Sequence, residues 1–429
     1  MEDISTVILA AGKSTRFKGN NSKLLQDLAG LPIICHVFNL AKKISGKNII
    51  IVCNKKNINE LKNLFSDCKF VIQEKQKGTA DAILKVKPYI NKRNFLVLFG
   101  DVPLISLKSI RKLINNFKKN KSSGSMIAFN ANNPYGYGRV KIKKNKILKV
   151  VEEFNTSHEE KKIKLCNSGV LILKSKLFFQ NLRYVRNNNI KKEKFLPDIF
   201  LIYSRQNNPF TYIICPEQEM LGVNTLEDFH KVDEVYQNLL VNQLTNKGVL
   251  IQNPKSVRLS FDSKIEKGVI LESNVTIKEN VKIFKGTVIK SFSHLEGVVI
   301  KQLCSIGPYA RIRPNSIINN KVKIGNFVEI KNSIIGDFSA IAHLSYIGDT
   351  KIGKKVNIGA GTITCNFDGK QKQRTIIKDG AFIGSNTSLV APVTVNKNAK
   401  IGAGSVINKD VPSEYLAIER SKLKFIKKK

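Results

Sequence analysis

The sequence predicts an α/β protein in two parts: an N-terminal half built on a parallel sheet, one connecting helix, and a C-terminal parallel β-helix. Three observations carry this. Over the first 225 or so residues, short apolar runs alternate with amphipathic stretches. Leu226 to Leu244 then sets Leu226, Phe229, Val232, Val235, Tyr236, Leu239 and Leu240 at helical spacing. From Ile265 the aliphatic residues return every six positions. The expected domains are 1–225, a helical linker over 226–246, and 247–429.

In the first half, Val7 to Ala10, Asn48 to Cys53 and Phe95 to Phe99 read as buried strands with crossover helices between them. Ligands of such sheets bind beyond the C-terminal strand ends, which singles out the loops after Leu9 and after Phe99.

The six-residue period runs through Ile265, Leu271, Ile277, Ile283, Ile289 and Leu295. It resumes from Ile306 to Ile330, slips by one to Ile335, Ile341 and Ile347, slips again to Ile352 and Ile358, and ends over Ile383 to Ile407. A small or β-branched residue recurs four positions later, as in Val275, Ala310, Val328 and Ala399. Period six fits neither helix nor hairpin, whereas stacked turns of a parallel β-helix bury such a pattern as one continuous core. The break from about Thr364 to Gln373 reads as a loop thrown out of the coil.

Composition narrows the class. The acidic start, Met1-Glu2-Asp3, does not resemble a secretory leader, and no apolar run approaches bilayer length. A cytoplasmic protein with no membrane partner is expected. Seven scattered cysteines show no metal spacing and no disulfide framework. The net charge of +39 invites a nucleic-acid reading. The lysines are spread along the whole chain, however, and Lys, Asn and Ile are the residues that AT-rich codons encode. Drifted composition is the preferred explanation of the charge, which would also suit phosphorylated substrates, and no nucleic-acid partner is expected.

Leu9-Ala10-Ala11-Gly12-Lys13-Ser14-Thr15-Arg16 follows the first strand. Small residues let backbone N–H groups close on a phosphate or a base, and Arg16 and Lys23 supply cations. It is not a P-loop, because Val7 stands where that motif needs glycine. Asp101, in Phe99-Gly100-Asp101-Val102-Pro103, ends a buried strand, where a carboxylate suits a Mg2+ bridging nucleotide phosphates.

Together with Gly78-Thr79, Gly136-Tyr137-Gly138-Arg139, Val151-Glu152, Asn167-x-Gly169 and Gly222-Val223-Asn224, these motifs look like the sugar-nucleotide pyrophosphorylases. With the second half they resemble, over essentially the whole chain and in order, the bifunctional bacterial N-acetylglucosamine-1-phosphate uridyltransferase / glucosamine-1-phosphate N-acetyltransferases. The resemblance implies a Rossmann-like nucleotide-diphospho-sugar transferase domain, a left-handed β-helix, and a homotrimer with coenzyme between neighbouring coils. It implies acetyl transfer from acetyl-CoA to glucosamine 1-phosphate, then uridylyl transfer from UTP to N-acetylglucosamine 1-phosphate, supplying peptidoglycan and lipopolysaccharide precursors.

By the same resemblance, Leu9, Ala10, Ala11, Gly12, Gln73, Gly78, Thr79, Phe99, Gly100, Gly138, Glu152, Asn167 and Asn224 hold uridine and sugar. Asp101 and Asn224 hold Mg2+, and Arg16 and Lys23 neutralise the triphosphate. His343 is the base of acetyl transfer, with Arg313, Lys331, Tyr346 and Asn357 on glucosamine 1-phosphate. Ala360, Asn366, Phe367, Ser385, Ala403 and Arg420 contact acetyl-CoA. Ser14, Ser22, Phe99, Ala80-Asp81 and Phe367 depart from the family's usual residues.

Arg313 and Lys331 each follow an inward aliphatic and lie 18 residues apart; with three hexads to a turn, as the resemblance implies, they stack on adjacent turns of one face. No acid is adjacent to Arg313 in sequence, though Glu329, near Lys331, could partly serve as counter-charge; the pair reads as a phosphate clamp near His343. A purely scaffolding coil has no need of His343, Arg313, Lys331 and Tyr346 together.

Overall fold

The structure is a computed structural model that describes residues 3–12, 17, 22–185, 194–208, 210–421 and 423–427. The chain divides into two compact units, Met1–Val235 and Tyr236–Lys429.

The first unit is built on a nine-stranded sheet. Its strands are β1 (Ile4–Leu9), β2 (Ile49–Cys53), β3 (Lys69–Ile72), β4 (Asn94–Phe99), β5 (Gly124–Asn130), β6 (Arg139–Lys143), β7 (Lys146–Val151), β8 (Leu165–Lys174) and β9 (Thr211–Ile214). The order is β9-β5-β8-β4-β1-β2-β3, with β6 pairing β8 and β7. The strands β3, β2, β1 and β4 are parallel, and their branched aliphatic residues are buried on both faces. Helices α1 (Ile33–Ser45) and α2 (Leu107–Lys119) place Ile34, Phe38, Ile110 and Leu113 in the core on one side of the sheet.

A wholly parallel sheet is not what forms. β8 runs antiparallel to both β4 and β5, and β6 and β7 make a hairpin. The hairpin turns through Lys144 and Asn145, both at positive φ (49° and 59°). That backbone is usually marked by Asn-Gly or Asp-Gly, and Lys-Asn hides it. β8 also carries an irregularity between Asn167 and Leu171. The first strand starts earlier than the apolar run suggested and ends at Leu9.

Arg139 opens β6 fully buried (2% exposed) and pairs with Glu153, Nη2 to Oε2, at 2.8 Å. The Gly136 N–H donates to the same oxygen at 3.0 Å. Burial pushes the Glu153 carboxyl up, but the hydrogen bonds from Arg139 and Gly136 and the charges of Arg139 and Lys161 outweigh it. The net effect holds this carboxyl below the ordinary glutamate value.

Helix α3 spans Leu226–Asn246. In the second unit its Val241 and Leu244 join the core of the coil, and Gln237 bonds both the N–H and the C=O of Leu259 at 2.9 Å. The helix end thereby covers the apolar opening of the first turn.

The coil has three parallel sheets of ten, eight and eight strands. We call them the first, second and third faces, in the order the chain visits them. One inward column on the second face runs Ile277, Leu295, Ile312, Ile330, Ile347, Thr364, Leu389 and Ile407, all buried. The six-residue spacing thus marks the inward positions, and Val275, Ala310, Val328 and Ala399 are buried as expected. Ile300 and Ile377, which the repeat pattern skipped, also point inward on the third face. Thr364 keeps its place in the strand Ile363–Cys365, so the excursion begins at Asn366 rather than at Thr364. Among the described residues, no helix is long and apolar enough to cross a membrane.

The Arg139–Glu153 pair generates a stability prediction. Glu153→Gln leaves a buried guanidinium without its counter-charge and should cost about 3 kcal/mol in denaturant unfolding. Because the folded carboxyl titrates below its unfolded value of about 4.3, the contribution is fully present above that pH. It is lost as pH falls through the lower folded value. The wild-type advantage over Glu153→Gln should therefore shrink in acid; an unchanged gap at all pH values would contradict the pair's role.

Candidate active sites

Pairing in register brings the two loops of the first unit together. Leu9 lies opposite Val52 on one side and Phe99 on the other, so Ala10-Ala11-Gly12 and Gly100-Asp101 leave the sheet side by side. The Gly100 N–H donates to the Leu9 carbonyl at 2.9 Å. Side-chain amides tie down the first turn: Asn57 Nδ2 donates to the Ala10 carbonyl (2.8 Å), and Asn54 Nδ2 to that of Ala11 (3.2 Å). Gln76 Nε2 also donates to Ala11.

The charged centre is Lys23. Its buried ammonium donates to Asp101 Oδ2 and, at 3.1 Å, to Asn224 Oδ1. Asn224 is fixed because its N–H and that of Thr225 both donate to Asp228 Oδ2 at 2.9 Å. The Val223 N–H donates to the Asp101 carbonyl at 2.9 Å. Two oxygens from distant parts of the sequence therefore converge on one positive charge.

Other expected residues surround this centre. The Asn167 N–H donates to the Gly138 carbonyl at 2.9 Å, and the Glu152 carboxylate lies beside Gly138. The irregularity in β8 presses Gly169 (φ 77°) against the Phe99 ring, where a Cβ would come within 2.4 Å. Phe99 is thus a packing partner of Gly169. Gln73 is buried, and its amide donates to the Gly78 carbonyl (3.1 Å) and to Asp81 (2.9 Å), so Asp81 fixes its orientation. Thr79 accepts from the Leu196 N–H at 3.0 Å. Arg16 lies outside the described residues, as do Lys13, Ser14 and Thr15. A cavity of about 1510 Å³ opens at the other end of the sheet, beside Asp3, Asn94 and Lys174, and is lined by none of these site residues.

In the second unit, Arg313 and Lys331 stack as their spacing requires: Arg311 pairs with Glu329 and Ile312 with Ile330, which places Arg313 over Lys331. Lys331 in turn lies opposite Gly348, with Tyr346 in the neighbouring column. Arg313 is not without an acidic neighbour. Its Nη1 bonds Glu329 Oε1 at 2.9 Å, because an acid two residues before Lys331 shares its strand face. The missing side chain at Gly348 leaves room for two others: a Cβ there would lie 2.5 Å from Tyr346 Oη and 2.8 Å from Asn366 Nδ2.

Three residues that the spacing did not single out complete this cradle. Asp349 is buried and accepts from the amides of Asn366 and Asn332, which anchors Asn366. Lys372, on the excursion from the coil, comes up to Lys331. Contact with that ammonium and its charge push Lys372 below the ordinary lysine value, with Asp349 and Tyr346 acting the other way. The isolated bridge between Phe367 and Lys372 closes the excursion back on itself, a contact that sequence spacing does not reveal. The third residue, Asn326, hydrogen-bonds His343, Oδ1 to Nδ1, at 2.6 Å.

His343 ends the strand Ala340–His343 on the first face, is exposed, and lies around one corner from Tyr346. On the same face Asn357 pairs with Phe382, and Phe382 with Lys400. That register stacks Ala360, Ser385 and Ala403 on three successive turns. Arg420 Nε donates to the Ala403 carbonyl at 3.2 Å. Phe367 stands 60% exposed beside Asn366. The expected coenzyme residues thus fall into a stacked group, Ala360, Ser385, Ala403 and Arg420, and a loop pair, Asn366 and Phe367.

Comparison with known proteins agrees with both halves. The MobA-like NTP transferase domain profile matches residues 6–164. The GMPPB C-terminal domain profile matches 294–368, and the bacterial transferase hexapeptide (six repeats) profile matches 374–409. The bifunctional protein GlmU of Bartonella bacilliformis is 39% identical over 422 residues, covering 97% of this chain and 94% of the relative. Those of Zymomonas mobilis and of Buchnera aphidicola from Schizaphis graminum are each 40% identical at the same coverages. With an NTP transferase domain match and a hexapeptide coil in one continuous chain, and relatives matched over nearly its whole length, the protein belongs to the GlmU family of bifunctional transferases.

Proposed function

We propose that the two residue clusters divide between them the two transfers of a GlmU enzyme. The enzyme makes UDP-N-acetylglucosamine, by acetylation of glucosamine 1-phosphate and then uridylyl transfer to N-acetylglucosamine 1-phosphate with release of pyrophosphate. We take 226–246 as the linker between a uridylyltransferase domain (1–225) and an acetyltransferase domain (247–429). The observation that carries this division is the cradle on the coil. Arg313, Lys331 and Lys372 gather beside Tyr346, close to a histidine, and a coil serving only as scaffold gains nothing from crowding cations.

In the first unit, Asp101 and Asn224 would hold Mg2+. The donor set fits: two oxygens already converge on one cation, and Mg2+ takes few protein ligands while keeping water and substrate phosphate. Bound there, the ion would supply positive charge that neutralises the phosphates of UTP. Lys23 and Arg16 supply further positive charge, and the Ala10–Gly12 turn presents backbone N–H groups. Gln73, Gly78, Thr79, Gly138, Glu152 and Asn167 orient uridine and sugar. The sugar phosphate oxygen attacks the α-phosphorus of UTP, and the bond to pyrophosphate breaks. Positioning and charge stabilisation account for such a transfer.

In the second unit, Arg313 and Lys331 grip the phosphate of glucosamine 1-phosphate, with Lys372 as a third cation. Tyr346 and Asn357 orient the sugar. Acetyl-CoA lies along Ala360, Ser385, Ala403 and Arg420, with Asn366 and Phe367 at its acyl end. The amine nitrogen attacks the thioester carbonyl while His343 takes its proton. The carbon–sulfur bond then breaks, and the coenzyme leaves as the thiol. Of the coenzyme residues, Phe367, Ser385, Ala403 and Arg420 are exposed, which supports a homotrimer in which a neighbouring coil covers them. Sedimentation should show a trimer, and an acetylation-competent monomer would contradict this.

The activities should separate. Asp101→Ala should lower uridylyl transfer by at least a hundred-fold, roughly the scale of an electrostatic catalytic group, and leave acetylation within two-fold. His343→Ala should do the reverse. Loss of both activities in either well-folded variant would sink the two-site reading.

Arg313→Ala tests the clamp separately. It should cripple acetylation of glucosamine 1-phosphate and matter far less for glucosamine, which lacks the phosphate and should already be a poor substrate. Equal fractional losses on the two substrates would show that Arg313 does not read the phosphate.

A further inference from the structure

The strands Lys323–Asn326 and Ala340–His343 are each four residues long, while the other described strands of the coil have two or three. The extra length carries their pairing to the corner and sets Asn326 in register with His343. The histidine backbone is pinned as well. Its carbonyl accepts from Ser345 Oγ (2.8 Å) and from the Gly361 N–H (3.3 Å), and the next N–H, of Leu344, donates to the Asn326 carbonyl at 3.1 Å.

Asn326 Oδ1 is the one hydrogen-bond partner of the imidazole among the described residues. An amide oxygen only accepts, so Nδ1 must carry the proton. A neutral imidazole has one N–H, and Nε2 is then left with its lone pair.

We propose that Asn326 is a positioning residue of acetyl transfer, which holds His343 in the tautomer whose Nε2 is free to take the proton from the sugar amine. The inference rests on His343 being the base. A neutral amide fixes the tautomer without adding a charge that would keep the proton on the ring. The titratable groups on the elements packed around this strand are Lys323 on the turn below and Glu329, Lys331 and Tyr346 around the corner. The turn above presents Asn357. None of these is hydrogen-bonded to the imidazole.

Asn326→Leu and Asn326→Asp, made in the full chain, separate this role from a structural one. The readout is kcat and KM for acetylation as a function of pH. With leucine the acceptor is lost and the ring is free to carry its proton on Nε2. We expect kcat to fall at least ten-fold, the lower end of what a general base contributes being about a hundred-fold, with KM for acetyl-CoA and glucosamine 1-phosphate within two-fold. With aspartate the acceptor is kept and a negative charge is added beside the ring. We expect the alkaline plateau within about three-fold of wild type and the acid limb moved up by about one pH unit.

A leucine variant that loses less than two-fold, or an aspartate profile that superimposes on wild type, would overturn the proposal. If the leucine variant fails to bind acetyl-CoA, the aspartate profile decides. His343→Ala distinguishes the two levels. Retained acetylation there removes the base itself, whereas a dead His343→Ala beside unaffected Asn326 variants removes only the positioning role.

Discussion

Parallel strands lie about 4.8 Å apart, and each turn of the C-terminal coil advances the chain by one such step. The column from Ile277 to Ile407 on the second face sets that advance, because a register slip of one residue would turn every inward aliphatic to solvent. The side-chain cluster around Lys331 and His343 depends on this constraint. Arg313 sits over Lys331, and Lys331 opposite Gly348, because the isoleucines beside them are locked in register. The same locking sets Asn326 against His343 and stacks Ala360, Ser385 and Ala403. A coil is therefore a ruler on which side chains far apart in sequence are brought together at fixed spacing.

The first unit reaches a comparable precision by another route. There the pairing of Leu9 with Phe99 and Val52 makes two loops neighbours. Lys23, from beyond the first loop, and Asn224, from just before the long helix, then meet at Asp101. Electrostatics holds the centre together: one buried ammonium is balanced by a carboxylate and an amide oxygen, and a second cation brought by a nucleotide would compete for the same oxygens.

Much of this was legible in the sequence. The six-residue period marked the inward residues, and helical spacing marked Leu226–Asn246. Motif resemblance named residues that the structure does bring together, among them Lys23 with Asp101 and Asn224, and Ala403 with Arg420. What was not legible depended on contacts without a local signature. The antiparallel placement of β8 follows a hairpin whose Lys144-Asn145 turn lacks the usual glycine. Glu329, by contrast, was a candidate counter-charge from its place near Lys331, and the ladder brings it to Arg313. Lys372 comes to Lys331 through an excursion that breaks the repeat, so no spacing rule places it. Asn326 reads as an ordinary residue after Gly325 until the ladder sets it against His343.

The central claim is that one chain performs both transfers in sequence. Purified protein given glucosamine 1-phosphate, acetyl-CoA, UTP and Mg2+, with each omitted in turn, tests it most directly. The complete mixture should yield UDP-N-acetylglucosamine. Omitting UTP should stop the reaction at N-acetylglucosamine 1-phosphate, and omitting acetyl-CoA should leave glucosamine 1-phosphate unacetylated. Failure to form N-acetylglucosamine 1-phosphate when acetyl-CoA is present would contradict the account and reduce the coil to a scaffold.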